Sequence, residues 1–521
     1  MTGRIRLSLP RILRGLGPGA CVVVLSLVGG CGGFSATKAP TERDVARRAA
    51  RHLQVIRAQS PVPLGPLTFE DAVARALAFN LDLRVAALEE AVARGNVDLA
   101  DLDKLPDLLL TAGYTHRDKP AGFASDGGRG QRVKLARSAE LSWDVLDFGI
   151  AYLRSLQAED ALAIQRETRR RMANQIINDV RTAYWTVVLG RRRLADSAGI
   201  QRDLESAQKV AERLAALGLQ DPLVGLNYRD GLIDLKRQIR TYQVELEAAE
   251  GQLGRLLNLH PRQRIDVAPG DPPPDHEALL DYDRGGLEEA ALMLRSELRE
   301  ADHTLRSRRL DILRAYVQMV PSLRLRWGSL YDNTSTLAAN HWSEAGFNTS
   351  LSLLNLASMV LRARQARDGA AVADLRRLSI SLAILEQVGT SQERLRALAA
   401  DHALAREAAA VRREIHEKRM NRLPTDVGEE LERARAAVAA LSTQLREDRA
   451  YTTLQTAYGN LLSAIGIDQF PEPVSLEDPK AAAARLHDHL GRVLPQVRLA
   501  MAKVAVLGRP PETLAPAVSP P

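Results

Sequence analysis

The sequence predicts a mainly α-helical chain with a small membrane β-barrel portion, and three observations carry that prediction. The 521-residue chain is rich in Ala, Leu, Arg and Glu and only 4% aromatic, a composition that favours long helices and coiled coils. Within this helical background lie a few short segments of strict period two. In "RVKLARSAELSW" (132–143), Val133, Leu135, Ala139, Leu141 and Trp143 share one face, while Arg132, Lys134, Ser138, Glu140 and Ser142 share the other, with Arg137 alone breaking the apolar side. The third observation is that the order of helices and strands occurs twice, in register.

The first thirty residues read as a secretory signal. Arg4, Arg6, Arg11 and Arg14 make a positive start, and "CVVVLSLVGG" (21–30) is a short apolar stretch. Removing those four arginines lowers the formal charge from +7 to +3. No dense basic tract with interleaved aromatics remains, so no nucleic-acid partner is expected. "VGGC" (28–31) resembles the lipobox of bacterial lipoprotein signals, which implies that Cys31 becomes the first residue and carries acyl chains such as palmitate; an ordinary secretory signal with a bystander cysteine is the alternative. On the first reading Cys21 leaves with the signal, and the mature chain has no free thiol and no disulfide. Gly32 after the cysteine, by resemblance to lipoprotein sorting rules, favours the outer membrane. No later run approaches the roughly 20 apolar residues of a membrane helix. Any span must therefore use strands.

The extension 31–66 holds a basic, helix-like piece, "DVARRAARHLQVIRA". The first copy, 67–268, opens at Thr68 with Asp71 three residues on, a capping-box start for a helix running to about Lys104. Pro106 stops it. Leu108, Leu110, Ala112 and Tyr114 then share a strand face, "GFASDGGRG" turns the chain, and 132–143 returns. A helix of about 150–217 follows, breaks at "GLQDP", and returns as a helix to about Asn258. In that helix Leu232, Leu235, Ile239, Tyr242, Leu246, Ala249, Leu253 and Leu256 keep a strict heptad seam.

The second copy, 284–468, follows a linker at 269–283. Leu83 to Pro106 and Leu298 to Pro321 are both 23 residues, an offset of 215. "SWDVLDF" matches "SLSLLNL" at an offset of 208, and Asp221 with Asp426 and Gly254 with Gly459 both match at 205. Its strands are expected at Ser322–Leu330 and Gly346–Leu353, with Leu323, Leu325, Trp327, Phe347, Leu351 and Leu353 apolar-facing. Its seam, Leu431, Ala434, Val438, Leu441 and Leu445, breaks at Asp448. The tail 469–521 ends Pro-rich and is expected to be partly disordered.

Four strands per chain cannot close a barrel, and a lone hairpin is unstable. Two hairpins packed face to face are one solution. Three chains closing a 12-stranded membrane barrel are the other, with Arg132, Lys134, Arg324 and Arg326 facing water.

The repeated pattern of helix, "LP" and strand, returning "LSWDVLDFG", 70-residue helix, Gly-Leu tip and closing "AYGNLLSAIG" resembles the TolC-type outer-membrane efflux proteins, in their lipoprotein branch, over about 67–468. The resemblance implies a homotrimer in the outer membrane of a Gram-negative bacterium, continuing as an α-helical barrel through the periplasm. It also implies docking to a periplasmic adaptor and an inner-membrane transporter, and passive export of small molecules or polypeptide. Tip residues Gly218, Leu219, Asp221, Leu423 and Pro424 would contact the adaptor. Asp426 and Glu429 match an acidic pair that rings the periplasmic mouth in the family; helix N-terminal acids favoured by the dipole are the alternative. Departures are "NLDL" and "RSEL" without proline at 81 and 296, and "NRLP" (421–424) in place of a second Gly-Leu tip.

No HExxH, GxSxG, P-loop or CxxC is present, so neither enzyme activity nor a cofactor is expected. A non-channel periplasmic coiled-coil lipoprotein, acting as scaffold or adaptor, is the competing class. It has no need of paired strands or of the duplication.

Overall fold

The computed structural model describes residues 41–58, 65–121, 131–218, 221–260, 263–268, 277–334, 337–351, 353–421, 427–470 and 479–507. The chain divides into two units, Met1–Gln59 and Ser60–Pro521. In the first, the described part is α1 (Glu42–Ala58), opened by a reciprocal cap in which Thr41 N–H donates to Asp44 and Asp44 N–H donates to the Thr41 hydroxyl.

In the second unit, α2 (Phe69–Phe79) starts with the capping box expected at Thr68 and Asp71, at 3.1 and 3.2 Å. Phe69, Ala72, Val73, Ala76 and Leu77 form its buried face. The expected single helix to Lys104 is in fact two. Asn80 takes an extended conformation (φ −60°, ψ 127°), and α3 (Leu81–Leu102) begins anew. The side-chain oxygen of Asn80 accepts from the N–H groups of Asp82 and Leu83, so the break is capped by the amide without proline at 81.

The strands β1 (Asp107–Ala121) and β2 (Gln131–Asp144) follow; β1 is longer than its apolar alternation suggests. Next, α4 (Val145–Ala216) runs 72 residues, roughly 110 Å at 1.5 Å per residue. It contains no proline, and Asp144 caps its start. After the first tip, α5 (Pro222–Leu256) returns with Pro222 in the first turn. Its seam is buried at Ile239, Tyr242, Leu246, Leu253 and Leu256. The side chains of Leu232 and Leu235 lie outside the described set.

The same order then recurs: α6 (Glu277–Leu280) is a single turn, α7 (Arg284–Leu294) and α8 (Ser296–Val317) match α2 and α3 in length, and β3 (Ser322–Asp332) and β4 (His341–Ser350) precede α9 (Leu353–Met420) and α10 (Val427–Ile465). The expected strand Gly346–Leu353 is corrected: β4 starts five residues earlier, and Leu353 is already helical. The alternation Phe347/Asn348 is visible in the sequence, but the polar "HWSE" start offers no apolar pattern to read.

Part of the tail is helical. Residues 479–507 form α11 (Pro479–Leu490) and α12 (Val493–Leu507), with Leu486, Val493 and Val497 fully buried. α11 packs on α2, and α12 on α7. The Pro-rich composition belongs to the residues after 507, which lie outside the described set.

Two cores hold the wall together. One joins α2, α4 and the end of α5 around Phe69, Ile177, Tyr184, Trp185, Leu253 and Leu257. The other joins α7, α9 and α10 around Leu287, Ile384, Leu395, Leu454 and Leu461. Gly466 closes the second; its φ is +82°, and a Cβ there would meet the backbone of Leu294 and Arg295 at 2.8–2.9 Å.

Candidate functional site

The four strands form one antiparallel sheet in the order β1-β2-β3-β4. The hairpins therefore pair edge to edge through β2 and β3 and do not stack face to face. Register places Leu108 opposite Leu141, Leu141 opposite Trp327, Trp143 opposite Leu325, and Leu325 opposite Phe347. These side chains share one face, and they are open to solvent: Leu110 is 72% exposed, Trp327 59% and Phe347 74%. An apolar sheet face of this extent in a single chain marks a surface that meets lipid or protein. Leu323 to Tyr331 spans roughly 27 Å along the strand, close to the ~25 Å apolar band of an outer-membrane barrel.

The opposite face is polar and internally matched. Lys134 pairs with Asp332 at 2.8 Å, Arg324 with Asp144 at 3.6 Å and Arg326 with Glu140 at 3.9 Å, all across the β2/β3 ladder. Thr111 and Ser138 share a 2.6 Å hydrogen bond. Sequence alternation identifies the bases of this face but does not assign their acidic partners. Glu140 and Asp144 follow the same alternation, whereas Asp332 reaches Lys134 only through a register between the two hairpins, which no local pattern fixes.

Below the sheet the helices stand side by side as a wall. α4 packs between α3 and α8 near the sheet and between α5 and α10 further along, and α9 flanks α8 and α10. The outermost helices keep apolar stripes in the open. On α3 these are Leu81, Val85, Leu88, Val92, Leu99 and Leu102, with heptad spacing; on α9 they include Leu361, Leu375, Leu378 and Leu382. Leu88 is 67% exposed and Leu382 69%.

Charge ties fix the wall from within. Glu90 of α3 accepts from Arg166 and Arg169 of α4 at 3.4 and 3.0 Å. Burial pushes its carboxyl up, but the hydrogen bonds and charges of those arginines outweigh burial and leave it below its ordinary value. Arg193 holds Asp448 at 2.8 Å, joining α4 to α10. That pair explains why the apolar seam of α10 breaks at Asp448: the position faces an arginine. Glu447, next along, has a buried Oε2 without a hydrogen-bond partner, and burial together with the Asp448 charge raises its pKa.

At the far end of α4, Gly218 takes φ +69° and ends the helix. Asp221 caps α5 by accepting from the Leu223 N–H at 2.9 Å. Leu219 lies outside the described residues, as do Leu423, Pro424 and Asp426 at the second tip, and Cys31. Glu429 stands half-buried in the first turn of α10. Around it, Arg419 binds Glu432 at 2.6 Å and Arg433 donates to the Arg419 carbonyl at 3.0 Å. Hydrogen bonds from Arg435 and Arg419 hold Glu432 below its ordinary pKa. No sequence signal announces this clamp, because its members sit 13 and 14 residues apart on two helices.

Among the described residues, no group of three His, Cys, Asp or Glu side chains is placed to hold a metal ion, and no helix is long and apolar enough to cross a membrane. The latter says nothing of strands.

Residues 72–259 match the family model described as outer membrane efflux protein. A curated relative, the probable outer membrane lipoprotein SilC of Salmonella typhimurium, is 23% identical over 286 residues, which cover 53% of this chain and 57% of that protein. The alignment thus spans little more than half the relative's length. Among solved structures, the outer-membrane channel OprN superposes with a TM-score of 0.59 at 21% identity, covering 76% of this chain and 89% of that one. The CmeC outer membrane channel of Campylobacter jejuni superposes with a TM-score of 0.65 at 13% identity, covering 80% and 89%.

Proposed function

We propose that this chain, a TolC-type outer-membrane efflux protein by family match and by fold, is the outer-membrane duct of a tripartite efflux pump or type I secretion system. The sheet carries the reading. It presents one largely apolar face, interrupted by Arg137, Ser329 and Ser343, and its outer strands β1 and β4 are edges. In hydrocarbon every backbone N–H and C=O needs an internal partner, so these edges must be closed. A heterologous contact of β1 with β4 of the next copy, repeated by threefold rotation, closes a 12-stranded barrel. The open stripes on α3 and α9 would meet in the same contact, which continues the closure as a helical barrel. A scaffold or adaptor leaves both features without a purpose.

On this reading the two copies, 67–268 and 284–468, each supply one hairpin and one helix pair, joined by the linker 269–283. Cys31 carries the lipid anchor in the outer membrane. The tips at Gly218, Leu219, Asp221, Leu423 and Pro424 face a periplasmic adaptor, which couples the duct to an inner-membrane transporter. Three copies of Asp426 and Glu429 crowd negative charge at the periplasmic mouth and favour cations. Transport is passive, and energy comes from the partner in the inner membrane.

Heat-modifiable gel mobility of protein extracted from outer membranes is the primary test. A trimer that survives SDS and collapses on boiling supports closure between chains; a monomer released by alkali overturns it. Single-channel recording then addresses the mouth. Asp426→Ala with Glu429→Ala should reduce cation selectivity, and an unchanged ratio removes the acidic ring.

A further inference from the structure

We propose that α1 is a membrane-surface helix that binds anionic phospholipid. Its seventeen residues, Glu42–Ala58, carry five arginines against two acids. Both acids lie in the first turn, and Asp44 is engaged in the Thr41 cap. From Val45 to Phe69 there is no further acidic residue.

Most of the arginines and most of the apolar residues lie on different faces; Glu42, in the first turn, falls within the apolar arc, and Val55 falls outside it. At about 100° per residue, Val45, Ala46, Ala49, Ala50, Leu53 and Ile56 fall within an arc of about 140°. Arg43, Arg47, Arg48 and Arg51 lie outside it. Arg57, in the last turn, falls at an angle inside the arc, and its side chain lies outside the described set. Large apolar groups on this face are open: Val45 is 41% exposed, Leu53 52% and Ile56 36%. An isolated helix of this length is marginal in water. It needs a surface to cover its apolar arc.

Charge complementarity identifies that surface. An apolar arc bordered by arginines, on a helix that is polar overall, suits the interface of a bilayer rather than its interior. An anionic headgroup layer attracts each basic residue, which a neutral one does not. The helix also begins 11 residues after Cys31, so an acyl anchor there holds it within about 40 Å of the bilayer at full extension. One acyl-anchored segment with a basic amphipathic helix is a two-signal attachment.

The test uses the full chain in proteoliposomes. An environment-sensitive fluorophore is placed at Ala49→Cys, inside the arc, or at Gln54→Cys, outside it, in a Cys21→Ala background; the same background without either new cysteine reports any labelling of Cys31. In vesicles containing phosphatidylglycerol, the probe at 49 should shift to the blue and be quenched by a headgroup-level nitroxide lipid, while the probe at 54 should not. In phosphatidylcholine the difference should fade. Arg47→Glu, Arg48→Glu and Arg51→Glu should weaken the protected state by roughly fivefold per arginine neutralised, and more with reversal. Equal quenching at both positions overturns the proposal. So does equal protection of position 49 in lipid-free amphipol, which would mean that protein covers the arc. Channel conductance of each variant should match the parent, so failure of the lipid reading is separable from failure of the duct reading.

Discussion

The breaks at Asn80 and Arg295 are the same bend built in two ways. Both residues have extended backbone, φ −60° and ψ 127° at one, φ −63° and ψ 129° at the other, and each joins an 11-residue helix to a 22-residue one. At Asn80 the side-chain amide caps the next helix locally, and its Nδ2 reaches the Leu256 carbonyl at 3.4 Å. Arg295 makes no side-chain cap. Its guanidinium instead donates to the Ser463 carbonyl at 2.8 Å, to Gln387 at 2.8 Å and to Glu297 at 3.0 Å. At the first tip, Gly218 and Asp221 act through backbone conformation and a cap; beside the second, Arg419 of α9 pairs with Glu432 of α10. One backbone outcome therefore has a local solution in one copy and a long-range solution in the other.

The largest way to break this comparison is Arg295→Ala. It leaves the Ser463 carbonyl and Gln387 without the guanidinium and cuts the tie from the bend to α9 and α10, and the expected loss is about 3 kcal/mol. Thermal unfolding of the purified protein measures it, and a loss under about 1 kcal/mol, the scale of a single ordinary hydrogen bond, would mean that the arginine is not what holds the bend. Asn80→Ala should cost less, about 1–2 kcal/mol, because it removes a local cap. If the two substitutions are equally harmful, the local and long-range distinction fails.

Glu447 sharpens the role of the α4–α10 contact. Its raised pKa means that the folded chain holds the proton more tightly than the unfolded chain does. Below the ordinary glutamate range both states are protonated and the site costs nothing. As pH rises through the raised folded value, the folded state must bury a charge and stability falls. Glu447→Gln should therefore raise the melting temperature at neutral pH and leave it little changed near pH 4. A variant no more stable than the parent at pH 7 would sink this account.

The smallest effect belongs to Leu81→Pro. Leu81 is the first residue of α3, 49% exposed, and its N–H is one of the four that no helix satisfies. The substitution supplies the residue that the family resemblance leads one to expect, and it should change stability by less than about 1 kcal/mol. Loss of helix content by circular dichroism would show that Asn80 alone does not preset the bend.

How far the sequence can be read follows from these cases. Thr68 with Asp71, Pro106, Pro222 and the heptad of α5 are local signals, and the elements they announce lie where those signals put them. The bend at Asn80 is hidden because apolar periodicity continues through it, and proline, the usual marker, is absent. Within the tail, α11 and α12 are short, and their burial against α2 and α7 cannot be seen in their own residues. At the candidate site, the greasy and polar faces of the strands are legible, but the acids that balance the polar face are not.

By itself the sequence determined which segments are helices and strands, where most of them cap, and which face of each strand is apolar, because these depend on neighbours one to four residues away. The tertiary structure decided that the two hairpins join edge to edge through β2 and β3, that Asp332 meets Lys134, that Arg193 accounts for Asp448, and that the stripes of α3 and α9 remain open. The pairings among these join residues far apart in the chain, 255 positions in the case of Arg193 and Asp448. Their partners are fixed by how whole helices and sheets pack, and no periodicity within one segment encodes that choice.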